Sequence, residues 1–436
     1  MFDHRYLTPA AAFFFLAWSL AGTAGETAEA PEPVPAIRAE FARPLRDGIP
    51  ALQLSTDLGA PALGLGTYRP VGQAESHGVH VAPFTIRASM QAGVGYNDNV
   101  TLQPANKISS MVYTWSPSIA VGLESSLARY YVMYRGNYGR YSSSSIDSYE
   151  EHDFLVSAAN SWTSRFRSSL LYEYLRGHNP RGAIVGSTAS ERWVLQSLRA
   201  SGSYGAEGAP GRIEGEAAVN RLRYPDQAAA ESREYDSTEV GGTFFYRLAP
   251  KTRALVQVRR ADITHDAAPT FDSVEMGYFV GLTWDALATL QGSVKIGYMT
   301  KDFSDPGRDD FSAPSYEAVV LWAPQRYSTL EVFARRYFGE PVEPGSSFVV
   351  NNVGTVTWNH LWPGDLRSTA IYTFGRVEQG GAGRTDTYQG VAFRLSYGIR
   401  RWLRTGAEYR HDSRDTTVSS SEYRRNLTFI TLEAAL

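Results

Sequence analysis

The sequence predicts an all-β fold: a transmembrane antiparallel up-and-down β-barrel of about 18 strands. Three observations predict it. The chain opens on a short apolar leader, its body alternates apolar and polar residues in strand-length runs, and the connections between runs alternate between long and short.

The leader comes first. His4 and Arg5 precede an apolar run, Ala10 to Ala21, and small residues follow at Gly22-Thr23-Ala24 and Ala28-Glu29-Ala30. A basic head, a core of about 12 apolar residues and a small-residue exit describe a secretory signal peptide. The expected leader is residues 1–24, with cleavage as late as 30 as the alternative. A helical membrane span needs about 20 apolar residues, so the run is short for an anchor. Residues 25–83 carry closely spaced prolines, among them Pro31, Pro33, Pro35 and Pro44. Proline removes backbone donors and fixes φ, so this stretch reads as an extended N-terminal arm in the periplasm.

From Phe84 to Leu436 the grammar changes to the predicted barrel, 84–436. Alternating runs bounded by turn residues place strands at 84–96, 108–124, 126–141, 150–163, 166–177, 190–205, 212–224, 234–248 and 252–265. They continue at 271–285, 289–303, 310–322, 326–338, 348–362, 366–378, 384–400, 402–413 and 421–436. The count is even, as single-chain bacterial outer-membrane barrels require.

Connections such as 97–107, 142–149 and 178–189 are long and polar, whereas Ser164-Arg165, Ala249-Pro250-Lys251 and Pro363-Gly364-Asp365 are tight turns. Short periplasmic turns opposite longer extracellular loops are the transmembrane-barrel arrangement. A soluble sandwich has no reason to sort loop length by parity. Within strands, Met276, Tyr278, Val280 and Leu282 share one face, opposite Glu275, Gly277 and Gly281. In a membrane the apolar face turns to lipid, because strands there satisfy their backbone only against one another. Trp162, Trp284, Trp322, Trp362 and Trp402 fall beside short turns. Tyr141, Tyr149, Tyr174, Tyr224, Tyr337, Tyr388 and Tyr423 gather at the opposite strand ends. These are the expected positions of two interfacial aromatic belts.

Composition narrows the chemistry. A formal net charge of −3 gives no electrostatic reason for a nucleic-acid partner, and the absence of cysteine excludes thiol chemistry and disulfides. His152, His178, His265 and His411 sit near the long-loop ends of different strands without ligand spacing, so no metal site is expected. No G-x-S-x-G elbow and no local Ser-His-acid grouping occurs, so no catalytic residues, no cofactor and no enzymatic activity are expected. The informative charges lie opposite the apolar stripe: Arg129, Arg135, Glu239, Arg259, Glu275, Lys295, Glu331, Arg335, Arg367, Arg394, Arg404 and Glu408. An arginine facing lipid near the midplane costs about 2–4 kcal/mol, which assigns these residues to the lumen wall. Of the adjacent pairs Arg259-Arg260, Arg335-Arg336 and Arg400-Arg401, one member must point outward, near a strand end where that cost falls.

Tyr68-Arg69-Pro70, followed by Gln91 to Val100 with Tyr96-Asn97-Asp98-Asn99, resembles the Putative beta-barrel porin 2 family. The likeness spans about residues 66–436. It implies an outer-membrane barrel associated with exopolysaccharide secretion, with membrane lipid, the polymer and periplasmic export components as partners. Three readings stay open: a passive conduit for an exported polysaccharide, a solute porin for small polar nutrients, and an outer-membrane enzyme.

Overall fold

A computed structural model describes residues 78–184, 188–206, 208–225, 228–287, 289–341 and 346–436. The leader, and the arm up to residue 77, lie outside the described residues. The strands are β1 (Val79–Val81), β2 (Phe84–Asn97), β3 (Ser110–Glu124), β4 (Ala128–Tyr141), β5 (Tyr149–Ser161), β6 (Phe166–Asn179) and β7 (Glu191–Tyr204). Then come β8 (Gly211–Arg223), β9 (Tyr235–Ala249), β10 (Thr252–Thr264), β11 (Ser273–Leu287), β12 (Leu290–Phe303) and β13 (Phe311–Gln325). The series ends with β14 (Ser328–Gly339), β15 (Phe348–Trp362), β16 (Leu366–Gly380), β17 (Arg384–Arg400), β18 (Leu403–Thr416) and β19 (Tyr423–Ala435).

From β2 onward each strand pairs antiparallel with the next, and β19 returns to β2, so 18 strands close into a barrel. Every sequence-derived boundary lies within three residues of the observed one. The short β1, inside the stretch read as arm, adds to the start of β2. Two connections depart from the length rule. The β16–β17 connection on the long-loop side is only residues 381–383, because β16 runs two residues further than its alternation suggests. The β7–β8 connection on the short side spans 205–210.

Burial alternates with a period of two along the wall. In β2, Gln91, Gly93, Gly95 and Asn97 are buried, while Ala92, Val94 and Tyr96 are exposed. The exposed face carries Val94, Ile119, Leu198, Val219, Val240 and Val256, an apolar surface that only lipid can cover. At the long-loop end the outward face changes character. Arg260 with Asp262 (2.5 Å), Arg376 with Glu378 (3.0 Å), Arg221 with Asp236 (3.2 Å) and Arg140 with Glu150 form ion pairs there. Strands of 12 to 17 residues outreach an apolar band about 25 Å tall, so the wall continues beyond the lipid on this side.

The tryptophans at the short-turn end behave as expected: Trp162, Trp322, Trp362 and Trp402 are exposed on the outer surface, and Trp284 is half-buried. The tyrosines at the other end require a correction. Tyr149, Tyr224, Tyr337, Tyr388 and Tyr423 are buried on the inner face. Their parity in each strand matches the polar residues, so the rings pack beneath the loops instead of meeting lipid. Outward tyrosines at this end are others: Tyr96, Tyr113, Tyr298 and Tyr409.

The Tyr-Asn-Asp-Asn motif lies at the seam where the first and last barrel strands meet. The Asp98 carboxylate accepts from the backbone N–H and the side-chain amide of Asn426, both at 2.7 Å. The Asn99 amide donates to the carbonyls of Arg424 (3.1 Å) and Gln103 (2.8 Å), and its oxygen accepts from Gln103 N–H. Asn97 and Asn99 are both fully buried. The β19–β2 ladder stops at Asn97, and the motif carries the pairing one turn further.

Candidate functional site

The site is the inner wall itself. Hydrogen bonds between non-adjacent strands identify which face is concave, since side chains on the convex face diverge. Arg259 on β10 reaches Glu317 on β13 with two bonds, at 2.7 and 2.8 Å. Lys295 on β12 also pairs with Glu317, and Arg335 on β14 approaches it to 3.3 Å. One carboxylate therefore ties together three cations from three strands at mid-height. Gln257 extends the network, accepting from Arg259 (2.8 Å) and Lys295 (3.1 Å). Arg259 and Lys295 both stand over the Phe279 ring, so their stems are packed as well as paired.

All twelve residues singled out in the sequence lie on this inner face. Arg259, Lys295 and Arg335 meet at Glu317. Glu239 accepts from Asn220 (2.8 Å), and Arg135 donates to Asp153 (2.6 Å). Arg394 and Glu408 are buried and face each other across the β17–β18 ladder. Glu275 receives Lys301 at 3.0 Å, and Lys301, fully buried, turns its other side to Glu340 at 2.6 Å. Near the short turns, Arg129 lies 3.5 Å from Glu124 and Arg404 3.6 Å from Asp365. Arg367 opposes Ser396, and Glu331 opposes Thr357. The twelve are thus spread over the height and circumference of the wall. Glu317, Asp153 and Lys301 escaped the sequence reading, although their parity beside Tyr316, Phe154 and Thr300 marks them as inward.

The four rim histidines do not converge. His152 bonds Tyr134 (2.9 Å), His178 bonds Glu151 (3.2 Å), His411 bonds Asn426 (2.8 Å), and His265 lies 3.5 Å from Glu340. Burial, with Lys301 nearby, pushes the His265 imidazole down to about 4, so it is neutral at neutral pH. Among the described residues no group of three acidic or histidine side chains could hold a metal.

A strap folds over the seam side of the long-loop mouth. Beyond β6 the chain turns inward at Pro180–Ile184, and Ala183 and Ile184 are buried. Arg181 anchors it to Asp147 (2.5 Å) in the β4–β5 loop. On the far side of the seam, Arg414 of β18 donates to the carbonyls of Ala183 (2.6 Å), Gly182 (3.0 Å) and Ser421 (2.6 Å). Gly182 adopts φ +80, and a Cβ there would lie 2.2 Å from the Thr101 carbonyl oxygen. No other residue type fits so close an approach at that φ. Leu102, Ala183 and Tyr423 form a small apolar cluster that seals the contact.

The face assignment has a direct test. In this cysteine-free chain, a cysteine at Lys295 should react rapidly with a membrane-impermeant thiol reagent, and one at Val294 should be protected by lipid. Fast labelling at 294 with protection at 295 would reverse inside and outside.

The profile of the family described as Putative beta-barrel porin 2 matches residues 72–436. No curated protein matches the sequence. Among solved structures, the chain is similar to the outer membrane protein OpdK of Pseudomonas aeruginosa, with 10% identity, TM-score 0.44, and coverage of 80% of this chain and 99% of that one. It is similar to Acinetobacter baumannii OccAB4 at 10% identity and TM-score 0.44, covering 84% and 100%. The FrpB iron transporter of Neisseria meningitidis gives 10% identity and TM-score 0.40 over 75% of this chain, which spans 62% of that chain's length.

Proposed function

Because this chain belongs to the Putative beta-barrel porin 2 family and is an outer-membrane porin-like barrel, we propose that it is a passive conduit for an exported polysaccharide. The observation that carries this reading is the distribution of the inner-wall charges. They form networks at several heights, and the one gathering of cations among the described residues, Arg259, Lys295 and Arg335, is already engaged by Glu317. A hydrated polymer must enter readily and leave readily, so many weak contacts suit it better than one strong one. We read the wall as non-enzymatic, its carboxylates being held by cations and amides that fix the lining. The arm preceding the barrel would then lie in the periplasm, beside components that deliver the polymer.

The strap at the mouth supports a second reading, a porin for small polar solutes, because it narrows the passage at the long-loop end. One pair of measurements separates the two. Purified barrel in planar bilayers should conduct. Cells lacking the chain should release at least about tenfold less polymer, with export restored by re-expression. Undiminished export with reduced uptake of small solutes would favour the solute porin.

A further inference from the structure

The short-turn end of the barrel carries a pattern that wall packing does not explain. Nine strands leave a short turn and rise toward the loops: β2, β4, β6, β8, β10, β12, β14, β16 and β18. In six of them the second residue is arginine: Arg129, Arg167, Arg212, Arg253, Arg367 and Arg404. Each shares the parity of the buried inner face in its strand. Arg87 on β2 and Arg247 on β9 add two more inward cations near this end.

Against these eight arginines stand five described carboxylates at the same level: Glu124, Glu214, Glu331, Asp365 and Glu433. Arg129, Arg212 and Arg404 lie 3.5, 3.0 and 3.6 Å from Glu124, Glu214 and Asp365. Arg167 and Arg253 donate to the carbonyls of Gly205 (3.3 Å) and Ala209 (3.4 Å), which aim the guanidinium, and with Arg212 they share the single carboxylate of Glu214. Arg253 and Arg247 are direct partners across the β9–β10 ladder. Like charges directly opposite destabilise a sheet, so stability alone would not place them there.

We propose that this collar is an electrostatic entry site for a linear, carboxylate-bearing polysaccharide arriving from the periplasm. The inference rests on the conduit reading above and names its substrate class as acidic. Rising strands alternate with descending ones, so neighbouring collar arginines on β4, β6, β8 and β10 stand about 10 Å apart. That spacing presents successive cations to successive charges of an extended polyanion. Rings of arginine or lysine select anions at pore mouths, and the arginine fork matches a carboxylate. Arg167, Arg253 and Arg404 share the inner parity and reach Gly205, Ala209 and Asp365 in the short turns, so the collar lies at the mouth of the lumen, where a threading strand enters.

The test uses the full barrel in planar bilayers, with hexagalacturonate, maltohexaose and hexaglutamate added to either side. Hexagalacturonate from the short-turn side should half-block the current at a concentration about tenfold below maltohexaose, and about tenfold below its own value from the loop side. Raising salt from about 0.1 M to 1 M should abolish the difference, as the screening length falls from about 10 to 3 Å. The triple variant Arg167→Gln, Arg253→Gln, Arg367→Gln should lose the preference, and the corresponding triple lysine variant should keep most of it. Heat-modifiability on gels verifies that both fold. Equal block by acidic and neutral sugars in a conducting barrel overturns the proposal and leaves the pore standing. Stronger block by hexaglutamate overturns it in favour of an acidic protein partner. A folded barrel that does not conduct overturns both readings.

Discussion

Replacing Glu317 with glutamine should destabilise the barrel by about 3 kcal/mol and shift its ion selectivity toward anions. Glu317 is the shared counter-charge of Arg259, Lys295 and Arg335. Glutamine fills the same space but carries no charge, so three cations are left crowding one another on alternate strands. Breaking a buried pair costs about 3–5 kcal/mol, and the low end applies here because the wall borders an aqueous lumen. Glu216, 3.9 Å from Arg259, offers only partial relief. The expected readouts are a lowered midpoint of urea unfolding in detergent and a reversal potential displaced toward the anion limit. An unchanged midpoint would show that the network is solvated and contributes little. Removing a cation instead, as in Lys295→Gln, should cost less, since Glu317 keeps two partners.

Substituting Arg414 with alanine should release the strap and raise single-channel conductance by at least about twofold. A hydrogen bond from a charged donor contributes about 1.5–3 kcal/mol, and Arg414 makes three to buried carbonyls. Without it, residues 180–184 keep the Arg181–Asp147 contact on one side and only the packing of Ala183 against Leu102 and Tyr423 on the other. Arg414→Lys should fall between, because a point ammonium cannot present the same fork to three carbonyls. Current traces should become noisier as well as larger. If conductance and noise both match the unmodified protein, the strap does not limit flow, and the narrowest point lies deeper in the wall.

Much of this architecture was legible in the sequence because two rules are enforced by the solvent. Lipid demands an apolar outer face, so residues such as Val294, Val391 and Leu395 reveal their orientation through their neighbours. Lipid also demands a closed sheet, so an even strand count and sorted loop lengths come together. The inner face obeys no comparable rule, and there the reading thinned. Tyr388 and Tyr423 look like interface anchors because tyrosine is amphipathic, yet strand parity turns them inward. Glu317 is inconspicuous in Ser315-Tyr316-Glu317-Ala318, since its importance arises only when β10, β12 and β14 bring their cations to it. The strap was invisible for a related reason. Gly182 and Arg414 are 232 residues apart, and nothing local in either segment announces the other. The collar is different, being written plainly in the second residue of six strands, and counting strand starts would have found it.

The clasp at the seam has a consequence for how the protein comes into being. Asp98 and Asn426 belong to opposite ends of the barrel sequence, so their bonds join the two edges of a sheet that is otherwise complete. Until β19 is in place, β2 presents an open edge, the most hazardous surface a β protein can carry. Ring closure over so long a chain gains only slowly in entropic cost with length, so a late join is affordable. Its selectivity is what matters. Paired carboxylate and amide contacts at the strand end let β2 distinguish β19 from any other strand of similar apolar pattern. The motif thereby adds contacts that are satisfied only when the two edges meet in this register.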